Sequence, residues 1–130
     1  MLIILHLSFM IGAALCLIIG VAIAMFWRSK NYWLKTHKTF NTTGFILLSF
    51  GAAMAVASVV TGGGEHFAGL HQQVGLATLL FSCVTVFLGY YSFYAGNKKA
   101  VMTAHRWLGR LSLACILFTL ILGLIMIGII

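Results

Sequence analysis

His105-Arg106-Trp107-Leu108-Gly109-Arg110 opens an apolar run that continues through Leu122-Gly123 to the last residue, and His71-Gln72-Gln73-Val74-Gly75 opens another that continues through Leu88-Gly89. In both, a glycine follows the histidine by four residues and a second glycine follows it by 18, so the two stretches read as copies. The pattern reaches back to the start of the chain. His6 and His37 also head apolar runs, and the residues 18 positions after them are Ala24 and Ala55. An imidazole near lipid is costly unless it binds something. One in each of four matched places points to a shared binding task.

Composition fixes the surroundings. The chain has 130 residues, 62% hydrophobic and 7% charged, with no proline. A water-facing domain carries about 25% charged residues. Apolar runs longer than about 18 residues read as membrane-spanning helices, and four are present, over 2–27, 38–60, 70–94 and 104–130. Without proline no helix interior is forced to kink. The links 28–37, 61–69 and 95–103 are short, so consecutive helices should be antiparallel neighbours. The expectation is an all-α membrane protein, one domain over 1–130, built as an antiparallel four-helix transmembrane bundle. The first run has no basic leader and already carries His6, so it is read as a helix of the mature protein rather than a signal peptide. Cys16, Cys83 and Cys115 lie inside spans without ligand spacing and read as packing residues.

The charge of +7 is lopsided. Arg28, Lys30, Lys35 and Lys38 flank the first link, and Lys98, Lys99, Arg106 and Arg110 flank the third; the second link and both termini carry no Lys or Arg. Basic loops stay cytoplasmic. Links 28–37 and 95–103 are therefore expected inside, link 61–69 and both termini outside. Cations this close to membrane ends do not make a nucleic-acid surface. Trp27, Tyr32, Trp33, Tyr90, Tyr91 and Tyr94 gather at the same boundary as an interfacial belt.

Eighteen residues turn a helix through about 1800° and raise it about 27 Å, so each histidine shares a face with its small residue across a bilayer core of about 30 Å. In an up-and-down bundle the histidines then sort into two levels: His6 with His71 outside, His37 with His105 inside. Ala24 and Gly89 fall at the inner level, Ala55 and Gly123 at the outer. A flat macrocycle held by two imidazoles, with small residues at its faces, fits that arrangement, and two haems are expected. Zinc takes four ligands, and a facing pair offers two. Lys35, Lys38, Arg106 and Arg110 stand near the inner level as partners for propionates. Asn41, one turn after His37, can reach the same group. Gln72 and Gln73 are the polar company of the outer level. His66, beside Glu65, reads either as a solvated loop pair or as a proton or substrate contact at the outer edge.

These residues carry a resemblance. The chain resembles the core domain of the cytochrome b561 family, di-haem b proteins that carry electrons across membranes. The similarity spans nearly the whole chain. It rests on the four histidines, on Lys35-Thr36-His37-Lys38, on Gly62-Gly63-Gly64-Glu65-His66-Phe67 leading to Leu70-His71, and on Ala104-His105-Arg106-Trp107-Leu108-Gly109-Arg110. The resemblance implies two haem b groups, with the first and third core histidines on one and the second and fourth on the other. Many members carry two further helices, and this chain resembles the core alone. The family's use of ascorbate is therefore not carried over; a quinol or a partner redox protein is the expected donor or acceptor. The function expected is electron transfer between the two membrane faces. The alternative is a haem-bearing anchor in a larger quinone-linked complex. A homodimer or a subunit of such a complex is the expected assembly.

Overall fold

A computed structural model describes residues 1–66 and 68–130. Phe67, the last residue of the glycine-rich link motif, lies outside the described residues. Four long helices follow in order: α1 (Leu2–Phe26), α2 (Trp33–Gly62), α3 (Leu70–Tyr91) and α4 (Lys98–Met126). All four are long and apolar enough to span a bilayer, and among the described residues there is no strand. The protein is a multi-pass integral membrane bundle.

Two helices begin earlier than hydropathy suggests, α2 by five residues and α4 by six. Hydropathy falls off where Lys and Arg gather before a span, whereas backbone hydrogen bonding does not. At 1.5 Å per residue, the 30 residues of α2 extend about 45 Å, long enough to carry its basic first turns beyond the hydrocarbon. Local chemistry sets the true ends. Asn97 caps α4 by accepting the Ala100 N–H (3.1 Å). Gly63 ends α2 in the left-handed region (φ 66°), a conformation that costs glycine nothing. The first glycine of the Gly62-Gly63-Gly64 run is thus helix and the second is its stop.

The bundle is a ring. α1 packs chiefly on α2 and α3 on α4, while α2 against α3 and α1 against α4 close the circuit. The diagonal partners, α1 with α3 and α2 with α4, keep their Cα atoms more than 8 Å apart among the described residues. The two tight pairs are made differently. Between α1 and α2 the chains meet at glycine: a methyl on Gly44 would lie 2.8 Å from Leu17 Cγ, and one on Gly51 would strike Met10. Between α3 and α4 hydroxyls meet across the seam, Thr78 with Thr119 (3.1 Å) and Thr85 with Ser112 (3.2 Å). Lipid offers helices no hydrophobic drive to associate, so close backbone approach and such bonds hold them. The core is correspondingly slight, centred on Ala13, Ala14, Leu17, Leu48 and Ile116. The outside is apolar: Ile4 is 70% exposed, Phe87 63% and Trp107 66%. That surface would aggregate in water and is suited to acyl chains.

Candidate functional site

The four histidines meet as two couples across the diagonals. The ring centres of His6 (α1) and His71 (α3) are 6.1 Å apart with planes at 88°, and those of His37 (α2) and His105 (α4) are 6.1 Å apart at 86°. Helices whose backbones never touch are thus joined at two places by facing imidazoles. A metal ion between two imidazoles, with bonds of about 2.0–2.1 Å, sets the ring centres about 6.3 Å apart.

Each ring is held the same way. His6 Nδ1–H donates to the Gly51 carbonyl (2.8 Å), His37 to Gly20 (2.8 Å), His71 to Thr119 (3.1 Å) and His105 to Thr85 (2.9 Å). A carbonyl only accepts, so each neutral ring carries its proton on Nδ1 and keeps a lone pair on Nε2. Metal-ligating histidines are oriented by this kind of bond.

The receiving carbonyls explain the small residues. Gly51, Gly20, Thr119 and Thr85 stand four residues before Ala55, Ala24, Gly123 and Gly89 respectively. The small residue uncovers the carbonyl one turn below it for the imidazole of the adjacent helix. A methyl on Gly89 would sit 2.9 Å from His105 Cε1, and one on Gly123 would sit 3.0 Å from His71 Cε1. Sequence reading places these four at the faces of a flat ring. They do line the cavities, and the two glycines also have an imidazole as near neighbour. Gly123→Ala is expected to cost about 1–3 kcal/mol by overpacking and to disturb the His6–His71 couple alone. Thermal unfolding in micelles checks it; an unchanged midpoint would contradict the close approach.

Around the couples lie two cavities of contrasting chemistry. The basic cavity, about 520 Å³, holds His37 and His105 and is lined by Arg28, Lys38, Arg106 and Arg110, with Asn41, Ala24 and Gly89. The other, about 200 Å³, holds His6 and His71, with Ala55, Gly123, Gln72 and His66, and has no Lys or Arg in its lining. Of the cations named from the sequence, Lys38, Arg106 and Arg110 line this cavity. Lys35 is exposed and not in the lining. It precedes His37 by two residues, about 200° around the helix. Arg28 takes its place. It stands one turn after Ala24, and its Nε donates to the Ala24 carbonyl (2.7 Å). The offset from Ala24 was the available signal. Aromatic rings steady several of these charges: Arg28 lies 5.5 Å from the Trp33 ring centre, Lys38 lies 5.0 Å from Tyr90 and 5.2 Å from Phe93, and Arg110 lies 5.4 Å from Trp107.

Asn41 is used on His37 itself. Its Nδ2 donates to the His37 carbonyl (2.7 Å) and lies 3.1 Å from His37 Nδ1. At the other level, Gln72 lines the cavity with its Oε1 buried and without a partner among the described protein atoms, whereas Gln73 is exposed and outside the lining. His66, read from sequence in two ways, is in the lining.

Among the described residues no group of three or more His, Cys, Asp or Glu gathers to bind a bare ion. Two ligands per level suit a metal whose remaining positions are filled by its own macrocycle, and the buried Gln72 oxygen is a polar contact still open to a bound group. The residues present fit haem. A family model described as eukaryotic cytochrome b561 matches residues 1–127 of the chain. Comparison with curated proteins and with solved structures finds no match.

Proposed function

The chain belongs to the cytochrome b561 family, and from that premise we propose that it passes single electrons between the two faces of a membrane through two b-type haems. The observation that carries the reading is the pair of diagonal imidazole couples at 6.1 Å. His6 and His71 ligate the outer haem, His37 and His105 the inner. The helices run up and down, with links 28–37 and 95–103 on the cytoplasmic side and the termini outside. The lopsided cations and the start-to-end pairing of His6 with Gly51 and His37 with Gly20 support this.

Haem held by these histidines would supply an iron that exchanges one electron at a time. The chain does the rest. The Nδ1–H bonds to carbonyl oxygens would fix each imidazole's orientation and strengthen Nε2 as a ligand. Two imidazoles per level would hold the group from both sides, which suits electron transfer rather than oxygen chemistry. At the inner level Arg28, Lys38, Arg106 and Arg110 line the cavity; they would hold the propionates and favour the reduced state.

That last role gives an expected result. Lys38→Gln is expected to lower the inner midpoint potential by about 40 mV, the equivalent of about 1 kcal/mol for a partly screened charge. Lys35→Gln, on the exposed face, is expected to leave it unchanged. Potentiometric titration distinguishes them, and equal shifts would contradict the assignment. The function itself is tested in liposomes with an oxidant trapped inside and an impermeant reductant outside. Wild-type protein is expected to reduce the trapped oxidant and His105→Ala is not; equal rates would overturn the proposal.

A further inference from the structure

Along the α3–α4 seam the polar groups form a line between the two histidine levels. At one end His71 Nδ1–H donates to the Thr119 carbonyl, and the Thr119 hydroxyl meets that of Thr78 (3.1 Å). At the other, His105 Nδ1–H donates to the Thr85 carbonyl, and the Thr85 hydroxyl meets that of Ser112 (3.2 Å). The residues that receive the two imidazoles are the ones whose hydroxyls cross the seam.

Ser82 stands between these rungs, one turn after Thr78 and three residues before Thr85. It is 4% exposed, and its Oγ finds no hydrogen-bond partner among the described protein atoms. The register explains why. Where Thr78 faces Thr119 and Thr85 faces Ser112, the residue facing Ser82 is Cys115, beside Ile116. The Thr85 hydroxyl donates to the Phe81 carbonyl (2.7 Å), so Ser112 donates to it; the Thr78 and Thr119 hydroxyls each lie 2.8 Å from the carbonyl four residues back, and one of the two donates across the seam instead. Leaving a hydroxyl buried and unpaired costs about 1–3 kcal/mol. Ser82 opens into the basic cavity, whose lining also includes Thr85 and Ser112. A buried water needs room and two to four polar partners, and three hydroxyl-bearing residues line this cavity.

We propose that Ser82, Thr85 and Ser112 hold a buried water beside the Thr85–Ser112 rung, next to the residue whose carbonyl receives His105. The water and the hydroxyls turn as charge changes at the inner level, which they sense through the Thr85 carbonyl on the His105 ring. The inference rests on the electron-transfer reading for its redox readout only.

The test is redox-difference infrared spectroscopy of the haem-loaded protein in ordinary and heavy-oxygen water. An O–H stretching band that shifts with the isotope is expected in wild type and in Ser82→Thr, which keeps the hydroxyl. It is expected to vanish in Ser82→Ala while both haems remain. Haem-loaded wild type without such a band, or Ser82→Ala with it, overturns the proposal. Thermal unfolding in micelles gives a second measure that holds even for protein without haem, where only the electron-transfer reading would have failed. Ser82→Ala is expected to lower the midpoint by removing a water's anchor; a raised midpoint, the sign of relief from a partnerless hydroxyl, overturns the water.

Discussion

Replacing His105 with alanine is expected to remove the inner haem and leave the outer one bound, halving the haem content of the purified protein. The two couples are separate: His105 faces His37, and neither ring touches the His6–His71 couple in the ring contacts of the bundle. No other imidazole lines the basic cavity. Met102 does line it, so a variant that rescued the iron through a thioether would reveal itself by the optical and potential change of His/Met ligation. Haem extraction and quantitation against protein, with circular dichroism to confirm the helices, reads the result. Two haems with unchanged spectra in His105→Ala would contradict the pairing. His71→Ala is expected to give the reciprocal loss.

The second large effect is expected at Gly20, which no charge or motif marks. Its carbonyl receives His37 Nδ1–H (2.8 Å), and a methyl built on it would collide with the Asn41 side chain. Asn41 in turn holds the His37 carbonyl. Gly20→Val therefore overfills a buried seam, a cost of about 1–3 kcal/mol, and dislodges His37, which has Asn41 as a side-chain partner on its own helix. The expected result is a lower unfolding midpoint together with loss or heterogeneity of the inner haem. Because the collision is with Asn41, pairing the milder Gly20→Ala with Asn41→Ser should recover much of the loss; a double-mutant cycle with no coupling would place the cause elsewhere.

The sequence carried much of this fold in plain sight. Four apolar runs give four helices, because few charged side chains interrupt them and no proline does. The histidine couples follow from helix direction and one residue per span. The +18 small residues were legible as a pattern but not as a mechanism. Their purpose depends on which carbonyl of a neighbouring helix lies one turn below, and that is a matter of register between chains. The exposure of Lys35 and the presence of Arg28 in the cavity lining have a related cause. Nearness in sequence to His37 favoured Lys35, while helical angle removes it to the far side, and Arg28 reaches the cavity from beyond the end of another helix. Asn41 was correctly set on the His37 face, yet its near partner is the histidine's own backbone. The hydroxyls at 78, 82, 85, 112 and 119 carried no signal at all, since a lone Ser or Thr in a span says nothing until the facing helix is in register.

The central claim is that imidazoles meet in two couples, each around one haem iron. It is tested most directly by haem content and absorption spectra of the purified protein, oxidised and reduced. The account predicts two haem b per chain, low-spin in both states. A fully helical protein that binds no haem, or one haem only, would contradict it.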